Sequence, residues 1–277
     1  MNISPELMSA RALQRVRHEL RLRTLTVQNA ERITPHCMRV TLAGEALEGF
    51  DSPGFDDHVK LFFPDGSTGE LHLPNLATSD DKAPRPVMRD YTPRFWDVTT
   101  AGTYTLVIDF ALHNTAGPAT AWAQQAAPGQ RLGIGGPRGS LLVPLAFDGY
   151  VLIGDDTALP AIARRLAELP TGTPVLTLVE VEDAADEQAL PTQANARIHW
   201  IHRNGAAAGD SAALLTILQK QSLPAGDIHA WIACETGVAK ALRTYLINQR
   251  EVYPKWIKAS GYWRRGNAAA HDTVDDE

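Results

Sequence analysis

Arg89-Asp90-Tyr91-Thr92-Pro93-Arg94 is the segment whose residue types most invite chemistry. In an extended strand Arg89 and Tyr91 project from the same face. A guanidinium there can grip a pyrophosphate through paired hydrogen bonds, and the neighbouring ring offers a π face to a planar ligand. Thr92 adds a hydroxyl and a backbone N–H able to bond a ring nitrogen. An edge strand carrying surface arginines has the same residue types, and they do not by themselves choose between the two. A second segment, Gly117-Pro118-Ala119-Thr120, reads as a helix start with Pro at the first helical position. Its free N–H groups would suit phosphate oxygens; a capped helix holding nothing is the plain alternative.

Further candidates lie downstream. Gly154-Asp155-Asp156-Thr157-Ala158 sits where a short apolar strand meets a helix. A dinucleotide lays its pyrophosphate near such a turn; Gly154 would allow close backbone approach, and Thr157 offers a hydroxyl and an N–H. Cys234-Glu235 ends a later strand, where Cys234 either lines the pocket or is a packed core thiol. Glu180, Glu182 and Asp183 follow the second strand and would suit an unphosphorylated ribose, while Arg203, after the third, could offset them for a 2′-phosphate. Gly133-Ile134-Gly135-Gly136-Pro137-Arg138 nearly spells a dinucleotide fingerprint but fails at its last position and precedes a strand-like run. It reads as a barrel turn presenting Arg138.

Composition narrows the field. A net charge of −6 argues against a nucleic-acid partner or a membrane-surface protein. The two cysteines, Cys37 and Cys234, form no CxxC and no cluster, so redox chemistry would need a bound cofactor. His199 and His202 are poorly spaced for a metal, and none is expected. No run approaches the ~20 apolar residues of a membrane span, and no signal-peptide core is visible. The expected location is the cytoplasm, and the expected state a monomer.

The elements that must position these residues fall into two patterns. Segments 23–27, 38–42, 58–63, 103–110, 130–134 and 140–145 read as short strands separated by Gly, Pro and Asp clusters, interrupted by one helix near 118–126. From 149 onward strands at 150–153, 175–181, 197–201 and 229–234 alternate with helices at 158–169, 209–221 and 237–249. The fold class is therefore β plus α/β: an N-terminal antiparallel Greek-key β-barrel, then a doubly wound parallel sheet. The boundaries read as an N-terminal helical extension over 1–20, the barrel over 21–146, the α/β domain over 147–255, and a C-terminal segment over 256–277 with an aromatic and basic motif and a disordered acidic tail. In the extension Ser4-Pro5 starts a helix, with Met8, Ala12, Leu13, Val16 and Leu20 at helical spacing. A barrel followed by such a sheet suggests one cofactor on each, meeting at the seam.

Seven segments in order extend this reading: Asp57-His58-Val59-Lys60-Leu61-Phe62-Phe63-Pro64; Arg89 to Arg94; Asp109-Phe110-Ala111-Leu112-His113; Gly117-Pro118-Ala119-Thr120-Ala121-Trp122-Ala123; Gly136-Pro137-Arg138-Gly139-Ser140; Gly154-Asp155-Asp156-Thr157-Ala158-Leu159-Pro160-Ala161; and Gly261-Tyr262-Trp263-Arg264-Arg265-Gly266. With them the chain resembles the siderophore-interacting, or NAD(P)H-dependent ferric-siderophore reductase, family within the ferredoxin-reductase-type FAD-binding superfamily.

The resemblance implies FAD on the barrel and NADPH, or NADH, on the α/β half. It implies that Arg89, Tyr91 and Thr92 hold the phosphates, the ring and its N5, with Thr92 nearest the reacting atom. His113 and the backbone of Asp109, Phe110, Ala111 and Leu112 would line the flavin, and Gly117, Ala119 and Thr120 its pyrophosphate. Gly154, Asp156, Thr157, Cys234 and Glu235 would serve the nicotinamide cofactor, and Trp263 would cover the flavin or pin the tail. The family usually has Glu at Asp156, and the wider superfamily Gly at Glu235, which leaves both roles open. Lys60, Arg138, Arg243 and Lys258 would form a basic mouth for a ferric siderophore or another ferric chelate. The implied activity is transfer of electrons from NAD(P)H through flavin N5 to iron(III), releasing Fe(II). A flavin reductase with a quinone, free flavin or protein acceptor is the alternative, and a siderophore-binding protein without turnover is another.

Overall fold

The computed structural model describes residues 4–75, 86–113, 117–266 and 272–273. The chain divides into two compact units, Gln14–Leu142 and a second built from Met1–Leu13 together with Val143–Glu277. By this division the first residues group with the C-terminal unit, and residues 256–266 lie within it.

The N-terminal helix is shorter than its periodicity suggests. Helix α1 (Pro5–Ala10) is capped by Ser4, whose hydroxyl accepts from Leu7 N, and it buries no residue. Six residues that bury no side chain gain too little packing to propagate a helix. The chain instead forms strand β1 (Gln14–Arg17), which pairs antiparallel with β9 (Gly139–Leu142). Val16 therefore belongs to a strand, not to the expected helical stripe.

Besides the β1–β9 pair, the strands of the first unit are β2 (Leu22–Thr34), β3 (Cys37–Ala43), β4 (Val59–Phe62), β5 (Met88–Tyr91), β6 (Phe95–Val98), β7 (Tyr104–Ala111) and β8 (Arg131–Gly135), with α2 (Pro118–Gln124) between the last two. They form one antiparallel sheet in the order β5-β4-β8-β2-β3-β7-β6. The sheet curls: Tyr91 on β5 meets Phe110 on β7, near the opposite end of that order, with ring centroids 4.5 Å apart. Alternate residues turn inward, so Leu25, Val40, Leu42, Val59, Leu61, Leu106, Ile108, Leu132 and Ile134 make one core, closed by Ala119 and Ala123 of α2. Gly133 and Gly135 lie inside β8, so the near-fingerprint is a strand and a turn.

The second unit contains β10 (Gly149–Asp155), α3 (Leu159–Glu168), β11 (Pro174–Val181), β12 (Asn195–His202), α4 (Ser211–Lys220), β13 (Ile228–Glu235), α5 (Thr236–Asn248), β14 (Ile257–Trp263) and β15 (Asp272–Thr273). The sheet order is β12-β11-β10-β13-β14-β15, parallel except for β15. Central strands β10 and β13 are buried along their whole length, as expected when helices cover both faces. Val151, Ile153, Ile232 and Ala259 pack with Leu214 and Leu218 of α4 and Leu242 and Leu246 of α5. Gly154 points the other way, where an added Cβ would lie 2.5 Å from Ala158 Cβ and 3.1 Å from Ile162 Cδ1 of α3.

Two expectations for the C-terminus change. Residues 257–263 form a fifth parallel strand, and Asp272–Thr273 pair with it. The rest of the tail expected to be disordered, 267–271 and 274–277, lies outside the described residues. At the N-terminus, Arg11 is buried in this unit: it donates to Ala146 O at 3.0 Å, pairs with Asp227 and with Asp148, and lies over the rings of Phe147 and Trp256.

Candidate functional site

Each unit carries its own part of the candidate site. In the antiparallel unit, the β4–β5 register pairs Leu61 with Arg89, Lys60 with Asp90 and Val59 with Tyr91. Directly opposed residues share a face, and neighbours alternate. Arg89 and Tyr91 therefore do lie on one face, and Lys60 and Asp90 lie on the other. Among the described residues the Arg89 guanidinium bonds only to the Met88 carbonyl, at 2.7 Å, leaving its remaining donors available. Tyr91 packs against the core, and burial pushes its phenol up, so the ring is held neutral and tilted at 45° against Phe110. Thr92 is buried directly after β5.

The strand expected to line the same ligand splits by side chain. Asp109 takes a bidentate grip from Arg39, its cross-strand partner, at 2.7 and 2.8 Å, with Arg94 at 3.8 Å. Its carboxylate is committed, and the side chains of Phe110 and Leu112 are core. These three can reach a ligand only through backbone. Ala111 is half-buried and His113 exposed. Gly117 precedes α2 without a side-chain cap, so the N–H groups of Ala119 and Thr120 have no intrahelical partner. Ala119 and Thr120 themselves are buried.

In the parallel unit, the order β12-β11-β10-β13-β14 reverses between β10 and β13. Ligands bind outside the carboxyl ends of the strands at such a reversal. That edge carries Asp155, Asp156 and Thr157 after β10, Glu180 and Glu182 at β11, Arg203 after β12, Glu235 at β13 and Trp263 at β14.

Most of these groups are already paired. Asp155, not singled out from the sequence, is the most enclosed: it accepts from Thr157 N at 3.0 Å, Thr157 Oγ1 at 2.5 Å and Trp263 Nε1 at 2.7 Å. Burial, with Asp156 beside it, pushes its carboxyl up to about 6. Arg203 holds Asp156 at 2.8 Å, Glu182 at 3.2 Å and Glu180 at 3.4 Å. Burial, then the nearby Asp155, raises Glu180 to about 7 against the pull of Arg203. The open question at Asp156 thus has a geometric answer: it is a counter-ion of Arg203.

Glu235 accepts from Gly237 N at 2.6 Å and Val238 N at 3.1 Å, capping α5 with its own carboxylate. Those two N–H groups are therefore already engaged. The start of α3 has no side-chain cap and lies beside Gly154 and Thr157. The tight neighbour of Gly154 is α3, so packing alone already demands that glycine. Cys234 is a core thiol, packed with Val238 and Ala239, and burial raises it well above its ordinary value.

The expected basic mouth is not assembled within either unit. Lys60 is bound to Asp90 at 2.8 and 3.1 Å. Arg138 is exposed. Arg243 is buried on α5, seven residues past its start and so ~10 Å from the carboxyl edge. Lys258 lies five residues before Trp263, ~16 Å back along β14.

Residues 26–141 match the siderophore-interacting FAD-binding domain and residues 147–266 the siderophore-interacting protein domain. The chain is 39% identical over 259 residues to the NADPH-dependent ferric-chelate reductase of Escherichia coli, covering 90% of this chain and 96% of that one. The chain belongs to the siderophore-interacting protein family. Another relative, ferric vibriobactin reductase ViuB of Vibrio cholerae, is 31% identical, with 88% of this chain and 92% of that one covered. Among solved structures, a siderophore utilization protein from T. fusca superposes with a TM-score of 0.84 at 42% identity, covering 94% of this chain and 98% of that one. The siderophore-interacting protein SipS from Aeromonas hydrophila gives 0.74 at 29% identity, covering 90% and 93%. Family membership makes the antiparallel unit an FAD-binding domain. No described helix is long and apolar enough to cross a membrane.

Proposed function

We propose that this siderophore-interacting protein is an FAD-dependent reductase that takes reducing equivalents from NAD(P)H and passes electrons to the iron(III) of a ferric siderophore or a similar ferric chelate. The observation that carries the reading is the face shared by Arg89 and Tyr91, with a guanidinium free of carboxylate partners among the described residues beside a neutral, core-backed ring. FAD, when bound, accepts a hydride and gives up electrons singly; the protein's task is binding, orientation and electrostatics.

Arg89 holds the diphosphate, Tyr91 supports the ring, and Thr92 offers its hydroxyl and N–H at the N5 edge. The uncapped turns at Gly117 and at Gly154 to Thr157 receive phosphate oxygens. Glu235 keeps the α5 start closed, which directs the nicotinamide cofactor to the β10–α3 turn. Asp155 fixes the indole of Trp263 and the hydroxyl of Thr157. Arg203, the cation that would favour a 2′-phosphate, already serves three carboxylates, so both NADPH and NADH belong in the test. The protein is assigned to the cytoplasm as a monomer.

The test is anaerobic mixing of the FAD-loaded protein with each reduced dinucleotide, then with ferric chelates and a ferrous-selective dye. Bleaching of the flavin followed by capture of Fe(II) is expected. Failure of both dinucleotides to bleach it would overturn the assignment.

A second reading, a flavin reductase with a quinone or free flavin as acceptor, is favoured by one observation: Lys60 is paired and Arg243 buried, so neither unit gathers an open cluster of the expected cations. Comparable turnover of ferric chelates and neutral quinones, both indifferent to Lys60→Ala, would decide for it.

A further inference from the structure

Arg203 follows β12 at the carboxyl edge of the parallel sheet. An open cation there would attract the 2′-phosphate that separates NADPH from NADH. This guanidinium is not open. Each of its three nitrogens donates to a different carboxylate: Nε to Glu182 at 3.2 Å, Nη1 to Glu180 at 3.4 Å and Nη2 to Asp156 at 2.8 Å. The arginine side chain is 8% exposed and Glu180 4%. Asp156, at 17%, and Glu182, at 25%, keep more of their surface open, so a ligand arriving here meets carboxylates before it meets the cation.

The backbone fixes this arrangement before any ligand arrives. Arg203 N donates to Val181 O at 3.0 Å, and Asn204 N to Glu182 O at 2.8 Å. Asn204 (φ +50°) and Gly205 (φ +87°) then turn the chain back, in a left-handed conformation that Asn and Gly tolerate best. The turn delivers Gly205 N to Glu182 Oε1 at 2.8 Å. Glu182 is thus held at both oxygens. Asp156 spends one oxygen on Arg203 and has no other partner among the described residues. Its second oxygen can accept from a ribose hydroxyl.

Charge points the same way. One arginine stands against three carboxylates, and Asp155 lies in register beside Glu180. A 2′-phosphate would bring a further charge of about −2 to this cluster. To meet it, Arg203 would have to leave Asp156, Glu180 and Glu182 together, crowding three carboxylates without a cation. An unphosphorylated ribose needs only acceptors.

We propose that Asp156, Glu180 and Glu182 mask Arg203 and so make this protein select NADH over NADPH. This rests on the nicotinamide reading above and extends it to the choice between the two dinucleotides, setting the chain apart from its NADPH-dependent relative. The three carboxylates are specificity-determining residues that act on the adenosine ribose, away from the transferred hydride.

The experiment is calorimetry of the full-length, FAD-loaded protein with NAD⁺ and with NADP⁺, the oxidised forms, so that no electrons move. It is run at pH 8, above the value of about 7 to which burial and then Asp155 raise Glu180. Wild type is expected to bind NAD⁺ at least about tenfold more tightly than NADP⁺. Asp156→Asn combined with Glu182→Gln keeps Arg203 and its Glu180 partner, and should tighten NADP⁺ at least about tenfold. Should that double variant lose its cooperative melt, Asp156→Asn alone should tighten NADP⁺ at least about threefold. Equal affinities in wild type, a preference for NADP⁺, or a folded variant with unchanged NADP⁺ affinity would overturn the proposal and leave the nicotinamide reading standing. Binding of neither dinucleotide by wild type would overturn both.

Discussion

Trp263 donates its indole N–H to the enclosed carboxylate of Asp155 at 2.7 Å, joining residues 108 positions apart. The bond closes the carboxyl edge of the parallel sheet and sets up a dependence on pH. Asp155 is raised to about 6 and Glu180 to about 7, both by burial first. Raised carboxyls bind protons more readily in the folded state. Their stabilising contribution is complete below their unfolded values, near pH ~4, and is lost as pH climbs through 6 and 7. Asp155→Asn should therefore gain stability relative to wild type steadily between pH 4 and 7 in thermal melts. A difference independent of pH would count against this account.

Arg203 should be the costliest single loss at that edge. Replacing it by Met leaves Asp156, Glu180 and Glu182 crowded without a cation, a change worth about 3–5 kcal/mol for a buried pair. Glu180, freed from the arginine that holds it down, rises further. The defect must shrink as acid neutralises the cluster. Urea midpoints at pH 5 and pH 8 test this, with the larger loss expected at pH 8.

The Arg39–Asp109 pair makes a prediction about the other unit. Arg39→Met strands a buried carboxylate that retains only Arg94 at 3.8 Å. Because Arg39 is partly exposed, the loss should fall below the fully buried range, at about 2–3 kcal/mol. Asp109→Asn in the same chain should recover part of it, a coupling that a double-mutant cycle measures. Simple additivity would show that the pair is not the unit that matters.

Lys60 and Asp90 face each other across β4 and β5, and the lysine is neutralised where it stands. If it attracts anionic chelates, Asp90→Asn should lower KM for an anionic ferric chelate about threefold or more and leave a neutral one unchanged. Lys60→Ala should raise KM for the anionic chelate alone. The contrast should fade at high ionic strength.

Much of the architecture was legible in the chain because its patterns are local. The strand–helix alternation from 149 to 249 survives in β10 to α5, and the alternation of β3 and β7 follows their half-buried faces. That Arg89 and Tyr91 share a face followed from strand geometry alone. What was missed depends on distant partners. β14 holds Ser260 and Gly261 and looks unlike a strand until β13 is placed beside it. β1 is defined by residues 139–142. Asp155 was passed over in favour of Asp156 because nothing near it announces Trp263. Arg243 and Lys258 came from the resemblance, and their burial and position along α5 and β14 could not be read from the sequence.

The attachment of Arg11 has a consequence for how the protein is made. Its partner Asp227 is 216 residues downstream, so at ~5–20 residues per second the ribosome delivers it ~10–40 s after Arg11. Once Leu142 has emerged, Gln14–Leu142 can fold as a unit while Arg11 still waits for Asp227. A nascent-chain assay should find the antiparallel unit protease-resistant before residue 200 is synthesised, and the segment around Arg11 protected only after the last strands have emerged.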